Sequence, residues 1–393
     1  MTLKVPVARR RARLMTRHHL AAPASSVTDA TEAMIALHAT DPVTVYLSAW
    51  ARTGCATADV EGALYESRRL VRALGMRRTM WVVPAAHLPV VQRACTDDVA
   101  ARLRRQLVRD LERWAGIADG AEWLRETSEG VLLALRELGS GSGAQLSAAE
   151  PRLRTQLVFP DEGKSYVVPQ NVTSRVLMLL SAEGHIVRGR PRGGWSSGTF
   201  TYHSLQEWLD GGLSLLDGLD AGAARTELAR RWLLVFGPAP VSDLQWWAGW
   251  TKTQTRSALA SLPVVEVDLD GQPGVMLADD DDSDGDPTPQ AALLPGLDPT
   301  PMGWQERSWF LGPHAPLLFD RTGNIGPTVW WAGRVIGGWA QRPAGEVVYR
   351  LLEDAGSEAT AAVEAEAARL ASWLGTLRVT PRYRSPLERE LSA

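Results

Sequence analysis

The chain has 393 residues, enough for two to four domains with sizeable cores. A net charge of -3 and a pI near 6.2 exclude a uniformly basic polyanion binder, so any nucleic-acid surface must be local. Two cysteines, Cys55 and Cys95, exclude a disulfide framework and a cysteine-rich zinc site, and suit a reducing cytoplasm.

No apolar run approaches the ~20 residues of a membrane span. Arg9, Arg10, Arg11 and Arg13 make the N-terminus basic, but it lacks the apolar core of a signal peptide and reads as a basic arm or a poorly ordered tail. Lys4, Lys164 and Lys252 are the only lysines, an arginine bias that codon usage in a GC-rich genome accounts for.

Ala30, Ala33, Met34 and Leu37 recur at helical spacing and predict a helix over residues 28–39. Asp41-Pro42 then opens a second helix, with Asp41 as N-cap and Pro42 at the first helical position, running to about Arg52. A third helix spans about residues 57–66. Residues 69–74 and 78–84 read as strands joined at Gly75. Three helices and a hairpin make a winged helix-turn-helix.

A helical connector over about residues 86–118 leads to a second such unit. It has helices at residues 127–138, after Ser142 and at 171–180, then strands around the loop Pro191-Arg-Gly-Gly-Trp-Ser-Ser-Gly. A third unit begins near Arg225 and ends in a hairpin around Asp270-Gly271. The acidic run at residues 279–286 marks a boundary and reads as a solvated linker or a DNA-mimicking segment. Beyond it, strands at about residues 316–319, 327–331, 335–339 and 347–352 suggest a small β-barrel or sheet, with a helix over 358–374 packed on it.

The fold class is therefore α+β and mainly helical: three tandem winged helix-turn-helix units and a C-terminal small β-barrel. The domains are residues 1–120 (arm, first unit and connector), 121–220, 221–285 and 286–393.

Arg188, Arg190, Arg192 and Trp195 lie on or beside the second hairpin, where guanidiniums and an indole suit phosphate contact and base stacking. Exposed wing tips also tolerate arginine without function. Lys252 and Arg256 start the third unit's last helix, where its N-terminus can meet a phosphate, although Thr251 and Thr253 serve equally as caps. His38 and Thr40 face different sides of a continuous helix, but Pro42 disfavours helical geometry at Asp41. If residues 38–40 are extended, His38 and Thr40 point the same way with Ala39 turned aside. A histidine at a helix end also has an ordinary structural reading, as does Asp41 as a cap.

The stretch around His38 resembles the bacterial winged-helix DNA glycosylases of the AlkZ-like family. So do Gly237-Pro-Ala-Pro-Val-Ser-Asp-Leu-Gln-Trp-Trp, Leu294-Pro-Gly-Leu-Asp-Pro with Gly303-Trp304, Gly326-Pro-Thr-Val-Trp-Trp-Ala-Gly-Arg-Val-Ile-Gly-Gly-Trp, and Pro386-Leu387. The resemblance implies three winged helices and a barrel encircling DNA. It also implies excision of bulky or cationic N-alkylated bases, without metal or organic cofactor. The family's catalytic motif is Gln-Φ-Gln, with Gln-Φ-Asp and His-Φ-Gln variants. Here the matching positions read His38-Ala39-Thr40, and Thr40 departs by replacing a carboxamide or carboxylate with a shorter hydroxyl.

In such chemistry His38 takes a proton from water, Thr40 holds that water, and Asp41, where not engaged in capping, faces the developing cation. By the same resemblance the segment from Arg321 to Trp339, with Arg334, supplies a DNA-facing hairpin. A barrel corner that needs glycine explains that segment equally well. The expectation is a monomeric, cytoplasmic DNA glycosylase acting on alkylated double-stranded DNA in repair or genotoxin self-resistance. The rival is a non-catalytic winged-helix DNA-binding protein, regulatory or damage-recognising.

Overall fold

One order of elements recurs three times: a helix, a short extended step, two further helices and a hairpin. The computed structural model describes residues 3–159, 169–209, 212, 217–280 and 285–393. In the first unit the elements are Val27–Ala33, Leu37–His38, Pro42–Thr53, Thr57–Glu61 running on into a π-helical turn Gly62–Glu66, and the strands Leu70–Leu74 and Met80–Pro84. The helix expected over residues 28–39 stops early. Ile35 adopts a φ of 64°, in the left-handed region that a β-branched residue seldom visits. Met34, Ile35 and Leu37 are all fully buried, so their apolar spacing comes from burial on every side, not from one helix face. Asp41 caps the next helix as expected, Pro42 is its first residue, and Gly54 in the left-handed conformation ends it.

The second unit contains Gly120–Leu138, Gly141–Ser142, Gly143–Ala149, Thr173–Ala182, Ile186–Pro191 and Phe200–Ser204. The third contains Ala221–Phe236, Val241–Ala248, Lys252–Ala260, Val264–Leu269 and Gln272–Leu277. In each unit the extended step after the first helix pairs with the second hairpin strand: His38 with Trp81, Ser142 with Thr201 and Ala239 with Val275. His38 thus stands at a framework position that the other units give to Ser142 and Ala239.

The N-terminus is neither a free arm nor a tail. Leu3–Lys4 pairs in parallel with Val264–Leu269, and Val7–Arg17 is a helix. Arg10 and Arg13 on that helix are buried, and Arg13 and Arg17 both bind Asp280. Asp280, second in the acidic run, is therefore a buried partner and not part of a solvated linker, whereas Asp279 and Asp286 are exposed. Residues 281–284 of the run lie outside the described residues.

The C-terminal region is also not a barrel. Its four antiparallel strands run in the order Ala291–Leu294, Thr328–Trp331, Arg334–Gln341, Val347–Leu351 and do not close on themselves. The helix Gly356–Leu374 packs across one face, where Leu293, Val329, Trp331 and Ile336 meet Ala359, Val363, Ala367 and Leu370. A helix covers what further strands would have covered. The strand expected at residues 316–319 is instead a helical turn, Ala315–Leu318, whose neighbour Phe319 bridges to Ile325. One apolar core runs from Leu14 to Leu391 through the first and third units and the C-terminal region, so these parts are packed as one body.

Candidate active site and nucleic-acid interface

His38 reaches its place through the strand ladder. Leu37 and His38 pair with Val82 and Trp81, and the Ala39 N–H donates to the Met80 carbonyl at 2.8 Å, so the backbone stays extended through residue 39. The imidazole packs edge-on against the Trp81 ring, centroids 5.0 Å apart. Its Nδ1 is buried without a hydrogen-bond partner, and 5% of the residue is exposed. Burial first, then the Arg77 guanidinium, push the imidazole down to about 3, against an opposing pull from Asp298. His38 is therefore a neutral ring at physiological pH. Thr40, two residues on, is half-buried at the strand's end.

Asp41 is buried, and both its carboxylate oxygens are engaged. Oδ1 accepts from the Val43 N–H at 3.1 Å and Oδ2 from the Arg382 N–H at 2.8 Å. It caps one helix and holds a distant stretch of chain against it. Behind it, the helix Pro42–Thr53 is fixed by a buried polar network. Thr44 Oγ1 donates to the Gly296 carbonyl at 2.7 Å, and Ser48 Oγ to Asp298 at 2.6 Å. Burial alone would push the Asp298 carboxyl up. The Arg52 charge and hydrogen bonds from Arg52, Ser48 and the Thr300 N–H hold it below the usual carboxylate range. The segment Leu294-Pro-Gly-Leu-Asp-Pro thus clasps the helix that follows the His38 step.

The cation that acts on His38, Arg77, is a residue that pattern reading missed, and Arg307 in turn acts on Arg77. Arg77, at φ 54° in the turn between Leu70–Leu74 and Met80–Pro84, lies over the Trp246 ring at 3.9 Å. Arg307 lies 4.8 Å from the same ring and 4.9 Å from that of Phe319. Burial lowers both guanidiniums to about 10, and neither has an ion-pair partner among the described residues. The only sequence hint was the Arg77-Arg78 pair in a hairpin turn.

The expected DNA contacts are distributed unevenly. Arg190 bonds Glu61 at 2.6 Å and stacks on Tyr65, while Trp195 packs on Tyr46 at 4.6 Å and Trp373 at 6.1 Å. Arg188 stacks on Phe200, and Arg192 is exposed beside Gln145 at 3.2 Å. The second hairpin is therefore docked on the first unit and leaves Arg192 outward. Lys252 and Arg256 are exposed and have no ion-pair partner among the described residues, while Thr251 caps their helix. Arg321 is exposed in the loop between Phe319 and Ile325. Arg334 is held by Glu353, and the neighbouring tip glycine, Gly333, abuts the Arg11 backbone, so that turn is not a free hairpin.

The family model described as "DNA glycosylase AlkZ-like" matches residues 31–373, from within the helix Val27–Ala33 through the three helix-and-hairpin units to the end of the helix that covers the C-terminal sheet, and leaves out the strand Leu3–Lys4 and the helix Val7–Arg17. The chain belongs to the AlkZ-like DNA glycosylase family. Among solved structures, the DNA glycosylase AlkZ of Streptomyces sahachiroi matches with a TM-score of 0.71 at 20% identity. The match covers 97% of this chain and 100% of that one, and it speaks for a shared fold. None of the curated proteins compared matches the chain. Family membership makes DNA the macromolecular partner and N-glycosidic bond cleavage the reaction class. No helix among the described residues is long and apolar enough to cross a membrane.

Proposed function

We propose that the chain is a monofunctional DNA glycosylase that removes bulky or cationic N-alkylated purines, of the N7-alkylguanine type, from duplex DNA. On this reading its three helix-and-hairpin units are winged helices, it acts as a monomer, and it serves repair or genotoxin self-resistance. The observation that carries the reading is His38, a histidine kept neutral by burial and by Arg77 on an extended step two residues before Thr40.

An N7-alkylated purine carries positive charge and leaves without protonation. Water oxygen bonds to C1′ as the C1′–N9 bond breaks. The electron pair goes to the purine and neutralises it, and the water proton passes to solvent. A ring pushed down to about 3 is a weak proton sink but a sound hydrogen-bond acceptor, so His38 orients the water and relays its proton. On this reading Thr40 Oγ1, two residues beyond His38 along the step, is its partner in holding that water. Asp41 is a positioning residue whose two bonds fix the strand-to-helix junction. Arg192, Lys252, Arg256 and Arg321 are the exposed candidates for phosphate contact.

A second reading, damage recognition without cleavage, draws support from Thr40 standing where the family has a carboxamide or carboxylate. The test is single-turnover base release from a duplex containing N7-methylguanine, with wild type, His38→Ala and Thr40→Gln. Release by wild type that falls at least about 100-fold in His38→Ala supports the glycosylase. Tight binding of the damaged duplex without release by any of the three supports damage recognition instead.

A further inference from the structure

On the far side of the turn that holds Arg77 lies a groove that none of the expected contact residues enters. It runs between the connector helix Asp97–Trp114 and the start of the second unit's third helix, Thr173–Ala182, and is open to solvent. Arg78, Arg102, Arg105, Arg109, Arg175 and Met178 line it, over an apolar floor of Leu103 and Leu107. Arg102, Arg105 and Arg109 recur at helical spacing on one face and are all exposed.

The charges in this groove are not balanced. Among the described residues only Arg175 has an acidic partner, Asp110. Arg109 donates to Gln106 at 2.8 Å, and Arg78 meets the Met178 sulfur at 3.8 Å. The pattern contrasts with neighbours on the same stretch, where Arg93 pairs with Asp97 at 3.0 Å and Arg104 with Glu183 at 2.6 Å. In a chain of net charge -3, a walled groove with several uncompensated guanidiniums concentrates positive potential in one place. Arg102 to Arg109 spans ~10 Å of helix. That length reaches at least two successive phosphates of one DNA strand.

We infer that this groove seats the phosphodiester backbone of duplex DNA, with Arg78, Arg102, Arg105 and Arg109 on phosphates. The inference deepens the glycosylase reading and rests on DNA being the substrate. Two further features favour DNA over an acidic polypeptide. The third helix of a helix-turn-helix unit is the element that meets DNA, and its Arg175 and Met178 face this groove. Arg77 and Arg78 are consecutive in one turn: Arg77 acts on His38, and Arg78 lines the groove. The groove and the His38 step are thereby joined through one turn.

The test uses the full chain with an undamaged 20-base-pair duplex, titrated by fluorescence anisotropy from low to high KCl. The variants are Arg102→Glu/Arg105→Glu and Arg102→Lys/Arg105→Lys, with base release from an N7-methylguanine duplex followed in parallel. The reversal is expected to weaken binding at least tenfold at low salt and to flatten the slope of log K against log[salt] by about 2. The lysine pair is expected to keep the slope, and both variants the thermal midpoint. Unchanged affinity and slope in the reversal would overturn the groove while leaving the glycosylase reading intact. A full wild-type slope that the reversal flattens, without base release, would uphold the groove and remove the catalytic reading. Failure of wild type to bind duplex at low salt would overturn the assignment to DNA.

Discussion

Arg52 and Asp298 meet through two parallel hydrogen bonds of 2.9 and 2.8 Å, and neither side chain has any exposure to solvent. The pair fastens the helix that follows the His38 step to the segment leading into the C-terminal sheet. Burying both charges is costly, so the pair is worth less as net stability than as a fixed geometry. Removing one partner leaves the other buried and alone. Asp298→Asn is expected to cost about 3–5 kcal/mol in urea unfolding. Base release should fall with it even in the fraction that remains folded. The double change Arg52→Met with Asp298→Leu should recover most of the stability, and a double variant no better than Asp298→Asn would sink this account.

Asp41 separates a structural from an electrostatic role. Asp41→Ala loses the cap to Val43, about 1 kcal/mol, and leaves the Arg382 N–H without its acceptor, a further ~1–3 kcal/mol. Asp41→Asn keeps one accepting oxygen but turns an amide N–H₂ towards one of those donors. If Asp41 only positions the junction, losses of stability and of base release should rank together across Asn and Ala. An Asp41→Asn protein with near wild-type stability and strongly reduced release would instead show that the charge itself serves the transition state.

The parts of this arrangement that were legible in the sequence are those fixed by neighbours in the chain. Asp41-Pro42 and Gly54 bound their helix by local rules of capping and left-handed stops, and Asp270-Gly271 forms the expected turn with φ of 54° and 92°. What was not legible depends on partners far along the chain. The environment of His38 is set by Trp81 and Arg77, and Arg77 in turn is stacked on Trp246 from the third unit. The C-terminal strands look like barrel strands because alternation reports a buried face without saying whether a strand or a helix covers it. Arg190 read as a DNA-contact candidate like Arg188 and Arg192 because composition does not reveal that Glu61 and Tyr65 are its neighbours.

That docking of the second hairpin carries its own expectation. Trp195 is partly buried between Tyr46 and Trp373, whereas Arg190 has an ion pair near the surface. Trp195→Ala should destabilise by about 1–3 kcal/mol, less than truncating a fully enclosed tryptophan. Arg190→Ala should change stability by less than about 1 kcal/mol. Duplex affinity should stay within a few-fold of wild type in Arg190→Ala. A tenfold loss of affinity without loss of stability would mean that the hairpin leaves the first unit to grip DNA.

The two most deeply buried imidazoles make stability and catalysis respond differently to acid. Burial, followed by Arg52 for His18 and Arg77 for His38, lowers both to about 3. In the unfolded chain each returns to about 6.5. Between those values the unfolded state binds two protons that the native state does not, so stability falls as pH drops from about 6.5 towards 3. These two groups alone contribute a slope of up to about 2.7 kcal/mol per pH unit, and His38→Ala should remove about half of it. The rate of base release at constant folded fraction should be flat from pH 5 to 8, because His38 stays neutral throughout. Arg77→Gln removes the cation that opposes protonation, so the His38 resonance should titrate at higher pH by NMR and an acidic limb in the rate should move up with it. A wild-type rate profile with an acidic limb near pH 6.5 that disappears in His38→Ala would show an imidazole far more open to water than this burial allows.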